Sequence, residues 1–347
     1  MPAKNLRPLV INAAYLITGI LIIAGIMIIL QNILGFVQIH TTPPGWQIIR
    51  PPNEVSTLII ENDMVWTGGK DGVILIDRLS GARISTPRTM PSFGYVRQII
   101  QDRNGGIWVG HDGGLACFRH GSWQVIAPAP HIPFTRVLSI AEQQDGTIVI
   151  GTDTDVRAFK GDSWTSLLGN NAPPIASADV MLVDNGGNLW VGCGSPTHGG
   201  LYRLNGTSWS SFSLRDGLPH TSVRGITQSR DGSVWVATGF SRQGGAARYF
   251  AGNWTNLTIK NGLAGESTRS VYEDAEGRMW IGSEYDGIAA GSPGSWKLLT
   301  NKDGLAGYEV KVMVQDMDGT YWFGTNGGLS RVSHDALPAP VYGNENR

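Results

Sequence analysis

The chain is poor in cysteine and poor in charge. Two cysteines among 347 residues exclude a disulfide-dense scaffold and a four-cysteine zinc site. Charged residues make up 16%, where ~25% is usual, and the net charge is −1. A near-neutral chain lacks the basic face that neutralises phosphates, which excludes nucleic acid as a partner. Disorder is excluded as well, because 41% hydrophobic residues suffice for a core. H-E-x-x-H, G-x-S-x-G, phosphate-binding loops and EF-hand loops are all missing. No catalytic residue, cofactor or metal is therefore expected. Cys117 and Cys193 fall two repeats apart, too far for the ~7 Å between Cα atoms that a disulfide needs.

Charge is missing altogether between Arg7 and Arg50. Within that window Leu9 to Leu30 is nearly all apolar, and 22 residues of helix cover about 33 Å, enough for a hydrocarbon core of ~30 Å. The run is longer than the ~7–15 apolar residues of a cleaved signal and lacks a small-x-small site. The expectation is an uncleaved signal anchor over 9–34, with a cleaved signal and a buried core helix as the alternatives. Lys4 and Arg7 precede the run, so the positive-inside bias puts residues 1–8 in the cytoplasm. Residues 35–45 read as a linker. The rest is expected outside, periplasmic or extracellular, in a single-pass membrane protein.

Glycine and tryptophan are abundant instead. There are 47 glycines and 12 tryptophans, with 9 each of tyrosine and phenylalanine. One phrase recurs, a turn followed by Trp-x-Gly, as in Gly106-Ile107-Trp108-Val109-Gly110 and Asn188-Leu189-Trp190-Val191-Gly192. Its anchor positions are 66, 108, 149, 190, 235, 280 and 322, spaced by 41 to 45 residues. Val149 replaces the Trp in one copy and Ala237 the Gly in another. A second Trp follows at 123, 164, 209, 254 and 296. Each copy reads as four short antiparallel strands, the blade of a β-propeller. Seven copies over 46–335 predict an all-β fold of seven blades, with 336–347 as a tail. The orphan Trp46-Gln47-Ile48-Ile49-Arg50 matches Trp123-Gln124-Val125-Ile126-Ala127, so 46–50 is expected to supply the missing fourth strand of the last blade. The repeat tryptophans are assigned to packing between blades.

Asp216-Gly217-Leu218-Pro219 followed by Asp231-Gly232-Ser233-Val234-Trp235, and Asp303-Gly304-Leu305 through Trp322-Phe323-Gly324-Thr325-Asn326-Gly327-Gly328-Leu329, resemble the two-component regulator propeller repeat. In that family such propellers are extracytoplasmic sensor modules, often of hybrid histidine kinases that detect sugars. The resemblance implies a ligand-binding, sensor-like role and a membrane-protein partner for signal output. The chain carries no kinase or second span, so phosphotransfer by this chain alone is not expected.

The residue 11 positions before each anchor is Arg97, Leu138, Asp179, Arg224, Arg269 or Lys311, with Val55 or Ser56 in the first copy. Equivalent repeat positions form a ring, here near the mouth of the central channel. Four bases against one acid make a positive collar, fit for an anionic group on a small molecule or oligosaccharide. The alternative is pairing with acids of neighbouring loops, such as Glu54, Glu266, Glu284, Asp286 and Glu309. Loops of the same face carry further candidates: His111, His198, Arg242, Glu284, Tyr285 and Tyr308. The loops after Gly192 and Ala237 are expected to be longer, as insertions on a binding face are. Two rivals stand beside the sensor reading. One is a protein-interaction scaffold of an envelope complex, which a broad aromatic rim would favour. The other is an enzyme resembling streptogramin lyases, which needs a His and an acid, such as His111 or His198 with Glu284, converging on one face.

Overall fold

A computed structural model describes residues 42–337 apart from 87, 129–133, 135, 161–162 and 170–171. The anchor expected over 9–34, with the segments on either side of it up to residue 41, lies outside the described residues, as does the tail beyond 337. Among the described residues no helix is long and apolar enough to cross a membrane.

Seven four-stranded antiparallel sheets make a seven-bladed propeller. Blade 1 spans 57–84, blade 2 96–127, blade 3 139–166, blade 4 178–212, blade 5 223–257 and blade 6 268–299. Blade 7 takes three strands from 310–332 and its outer strand from Trp46–Ile49. That strand pairs antiparallel with Gly328–Val332, Trp46 facing Val332 and Ile49 facing Leu329. The closure expected from the orphan Trp46 is thus made, and it removes an open sheet edge.

Packing follows from the repeated residues. Trp66, Trp190, Trp280 and Trp322 are buried to 2% exposure or less. The acid that opens the hairpin turn also holds the tryptophan six residues later. Trp108, Trp190 and Trp280 donate Nε1–H to Asp102, Asp184 and Asp274 at 2.7–2.8 Å. Asp102 also accepts the backbone N–H of Asn104 and Gly106, so one side chain shapes the turn and fixes the wedge. The glycine of Trp-x-Gly makes room for the next blade. A Cβ on Gly192 would sit 2.6 Å from Val223 Cγ1, and one on Gly324 2.7 Å from Val55 Cγ1. Blade 5 carries Ala237 there, and the space returns at Gly225 on its neighbouring strand, where a Cβ would lie 3.3 Å from the Ala237 methyl.

At the end of the blades carrying these turns, hydrogen bonds join neighbours. Arg103 reaches Glu142, Gln144 reaches Asn185, and the N–H of Asn185 donates to Gln228. The N–H of Arg230 donates to Glu273, that of Ala275 to Gln315, and Arg78 of blade 1 reaches Asp316 of blade 7. Blades 2 to 7 and then 1 are linked in sequence, which stiffens the ring below the channel mouth.

The extra residues of blade 5 do not form a long loop. They lengthen the strands Val234–Phe240 and Gln243–Phe250, joined by Ser241 and Arg242 at φ 50° and 61°. Both turn residues are left-handed, the geometry that matches strand twist in a two-residue hairpin.

Candidate functional site

The innermost strand of five blades skips one residue against its partner. Val96 pairs with His111 and Gln98 with Gly110, so Arg97 bulges out of the ladder. The same shift isolates Asp179, Arg224, Arg269 and Lys311. A bulge bends its strand and re-aims a side chain. Blades 1 and 3 start their strands two positions later, at Thr57 and Ser139, and put uncharged Ser56 and Leu138 at the equivalent place. The charged members of the ring are thus the bulged ones.

These seven positions, one from each blade, line a single cavity of about 250 Å³ together with Tyr95 and Glu309. Ser56 rather than Val55 represents blade 1, and Val55 is fully buried between blades. The volume falls below the ~300–1,000 Å³ of drug-sized ligand sites, so the cavity suits a small molecule or one end of a longer one.

The collar is not a field of free positive charge. Arg97 grips Asp112 with Nε and Nη2 at 2.7 and 2.9 Å. Arg136 joins the same carboxylate at 3.0 Å and reaches Asp153 at 3.2 Å. Arg269 pairs with Glu284 and, at 3.1 Å, with Glu309. Lys311 donates to Glu54 at 2.6 Å and lies 3.5 Å from Glu309. Arg224 reaches Asp179 at 3.2 Å. The expected positive collar is corrected accordingly: loop acids fold over the ring and neutralise it. Glu54, Glu284 and Glu309 were among the acids named for this; Asp112 was not, and Asp179, counted as a ring member, also serves as a partner. Asp286 faces Arg242 instead, at 3.9 Å, and no ion pair of Glu266 is seen among the described residues.

Burial and pairing pull the mouth groups in different directions. Burial raises Glu54, but hydrogen bonds from Lys311 and Tyr95 outweigh it and hold the carboxyl below its ordinary range. Burial lowers Lys311 and Arg97, yet Glu309 and Glu54 on one and Asp112 on the other keep both above their ordinary values. Arg224 goes the other way. Burial lowers it, Asp179 only partly compensates, and the nearby Arg269 lowers it further. Tyr95 donates its hydroxyl to Glu54 and meets Ser56 Oγ at 2.5 Å, so Glu54, Ser56, Tyr95 and Lys311 form one network.

The loop candidates divide. Glu284 stands behind the mouth, held by Ser267 at 2.5 Å and by Arg269. Tyr285 and Tyr308, 40% and 50% exposed, adjoin Glu284 and Glu309 in the chain but do not line the cavity, and the Tyr308 hydroxyl accepts from Asn301 Nδ2 at 2.8 Å. Arg242 stacks over the Tyr285 ring at 4.7 Å, and Phe240 beside it is exposed. His111 is a packed residue: its ring meets Phe93 edge-on at 5.2 Å, Nδ1 accepts the N–H of Gly113, and burial lowers its pKa. His198 hydrogen-bonds Thr197 and Ser195 in the turn after Cys193. Neither histidine is joined to Glu284 by a hydrogen bond or ion pair among the described residues. No group of three His, Cys, Asp or Glu there could hold a metal ion. Both cysteines are buried and unpaired, and burial pushes their thiols up, Cys117 to about 11 and Cys193 to about 12.

The two component regulator propeller family model matches residues 91–113, 217–240, 262–285 and 304–327. No curated protein matches the chain in sequence. Among solved structures, the extracellular domain of a putative hybrid two component system from B. thetaiotaomicron is similar at a TM-score of 0.70 and 19% identity. The likeness covers 86% of this chain and 42% of that one, so the chain spans less than half its length. Catalytically inactive virginiamycin B lyase from Staphylococcus aureus, solved with quinupristin, is similar at a TM-score of 0.66 and 13% identity, covering 83% and 98%. PorZ, a surface component of the type-IX secretion system of Porphyromonas gingivalis, gives 0.61 and 15%, covering 81% and 46%. At these identities the likenesses show the fold alone.

Proposed function

For a chain that carries the repeats of the two-component regulator propeller, we propose a ligand-binding, sensor-like module that works outside the cytoplasm and takes its ligand at the channel mouth. One observation carries this reading. All seven blades send the equivalent residue into one cavity, and in five of them a β-bulge turns a charged side chain there. A bulge re-aims the side chain it isolates, and in all five blades that side chain is charged and faces the cavity, which a role in recognition accounts for. The similarity to a sensor ectodomain supports the same reading. So does the polar, preformed lining, which suits a small molecule or the end of an oligosaccharide. The N-terminal apolar run supports a tether, and signal output falls to a membrane-protein partner.

The test is a thermal-unfolding screen of the full chain in detergent. The panel holds neutral and acidic oligosaccharides, amino acids, carboxylates and divalent metals. A ligand at 100 times its Kd adds ~2.7 kcal/mol, which moves the midpoint by a few degrees in a domain this size. A shift abolished by Leu138→Trp, which fills the cavity, supports the mouth as the site. A shift that survives Leu138→Trp overturns that assignment. A shift with metal alone would favour the lyase-like enzyme, and no shift at all would favour the scaffold, for which the exposed Phe240, Tyr285 and Tyr308 offer a surface.

A further inference from the structure

The ion pairs of the mouth constrain the charge of what can enter it. Five cations there share six carboxylates. Lys70 adds a more distant positive charge acting on Glu54. The mouth as a whole is close to electroneutral. A ligand of single charge would upset that balance. A monoanion drawing a guanidinium away leaves a partly buried carboxylate without its partner, which costs more than the new contact returns. A monocation does the same in reverse. A ligand bearing both charges can exchange ion pairs without leaving either kind of group alone.

Two residues show where the exchange is easiest. Arg224 is the mouth cation with the weakest hold. It has one carboxylate oxygen, Asp179 Oδ1, at 3.2 Å, and Ser222 Oγ on Nε at 3.0 Å. Asp179 Oδ2 is occupied by the Gly194 N–H at 2.9 Å and by the Ser177 hydroxyl, so Asp179 cannot grip Arg224 with both oxygens. Arg224 Nη2 is left without a partner among the described residues, on a side chain that lines the cavity. Glu309 is the counterpart. Its carboxylate lines the same cavity and meets Arg269 at 3.1 Å but Lys311 only at 3.5 Å. Leu138 gives the wall one apolar side chain.

We propose that the mouth takes a small zwitterion, with the ligand carboxylate on Arg224, the ligand ammonium on Glu309 and its aliphatic part against Leu138. The proposal rests on the mouth being the binding site. A charge-assisted contact at each end is the strongest hydrogen bonding available to so small a ligand, and two ends fix its direction.

The experiment is calorimetric titration of the full chain in detergent with probes that differ in charge and in the spacing of their charges. An α- to δ-amino acid series from leucine to 5-aminopentanoate provides the zwitterions. Butanoate, butylammonium and maltose provide the anion, the cation and the neutral hydroxylated ligand. The expected result is that one member of the zwitterion series binds at least tenfold tighter than butanoate, butylammonium or maltose. Arg224→Met and Glu309→Gln each weaken it tenfold or more, and Glu309→Gln brings butanoate to within threefold of the zwitterion. Leu138→Trp abolishes binding while keeping the charges, which covers the case of a charge variant that fails to fold. If butanoate or maltose binds as tightly as every amino acid and Leu138→Trp abolishes it, the zwitterion is overturned and the site stands. If probes bind regardless of Leu138→Trp, both are overturned. If no amino acid of the series binds, the zwitterion is overturned.

Discussion

Lys311 Nζ lies 2.6 Å from Glu54 Oε1, joining the last blade to the segment that leads into the first. The pair crosses the seam where the ring closes, and Tyr95 of the next blade shares both partners. Both side chains are about one-fifth exposed, so each charge depends on the other. Lys311→Met and Glu54→Gln are each expected to destabilise the propeller by about 1–3 kcal/mol. The double variant should lose less than the sum, with a coupling of at least ~0.5 kcal/mol. Urea unfolding of the four proteins measures it, and strict additivity would show that the pair does not clasp the seam.

Gly192 and Ala237 make a contrasting pair. A methyl on Gly192 would meet Val223 Cγ1 at 2.6 Å and Val180 Cγ1 at 2.7 Å, two branched side chains with little freedom to move. Gly192→Ala is therefore expected to cost ~1–3 kcal/mol through overpacking between blades 4 and 5. Ala237→Gly removes a methyl that Gly225 accommodates and should cost less, ~0.5–1 kcal/mol. Equal effects of the two changes on the unfolding midpoint would contradict the account.

The blades were legible in the sequence because each carries its own marker. A wedge tryptophan with a glycine two residues later recurs in five blades and half of the pair in the other two, at Gly151 and Trp235, so its spacing counts the blades directly. The closing strand was legible for the same reason, since Trp46 had no blade of its own. The ring was legible as a fixed offset from the tryptophan, because equivalent positions in a propeller share a radius. Its charge was not. Asp112 and Arg136 come from connections whose course the repeat does not specify, and they decide whether Arg97 is free. The bulges were hidden too: they set Val96 and Ile99, or Val310 and Met313, three residues apart where alternation asks for two, and so short a break does not stand out in a six-residue strand. Nor could spacing tell that the extra residues near Phe240 lengthen a hairpin.

Acid is expected to unfold the protein through the carboxylates that hold turns and seams. Burial raises Asp274, but hydrogen bonds from Trp280, Arg278 and Tyr321 outweigh it, and the folded value lies below the ordinary one. Asp102 is held low in the same way by Trp108 and Gly106. A group depressed on folding contributes its stability above its unfolded pKa of ~3.9 and loses it as pH falls through the folded value. The carboxylate contribution should therefore be flat from about pH 7 to 5 and decline below that, while His111 and His220, both held low by burial, add a shallower loss that begins below ~6.5. Asp274→Asn should be less stable at pH 7, because Arg278 loses its buried partner, and should decline less steeply in acid. Thermal midpoints between pH 3 and 7 test this, and parallel profiles for the two proteins would refute the role of Asp274.

Trp46 ties the closing strand to blade 7. It is 9% exposed, stacks on Phe323 at a centroid distance of 6.1 Å, and belongs to a buried cluster with Leu305, Val310 and Val332. Trp46→Ala is expected to cost ~3–5 kcal/mol, the range for emptying a buried aromatic site. The loss should be local before it is global. The closing strand has only four residues, and without its anchor it frays from Gly328–Val332 and leaves that strand as an open edge. Amide exchange of residues 329–332 should then quicken at least tenfold under native conditions. Strand Ile107–His111 of blade 2 lies between two partners in its sheet and should keep its protection. Quickening by the same factor in both strands would mean that the ring opens as one unit, and that Trp46 contributes no more to the seam than to any other blade.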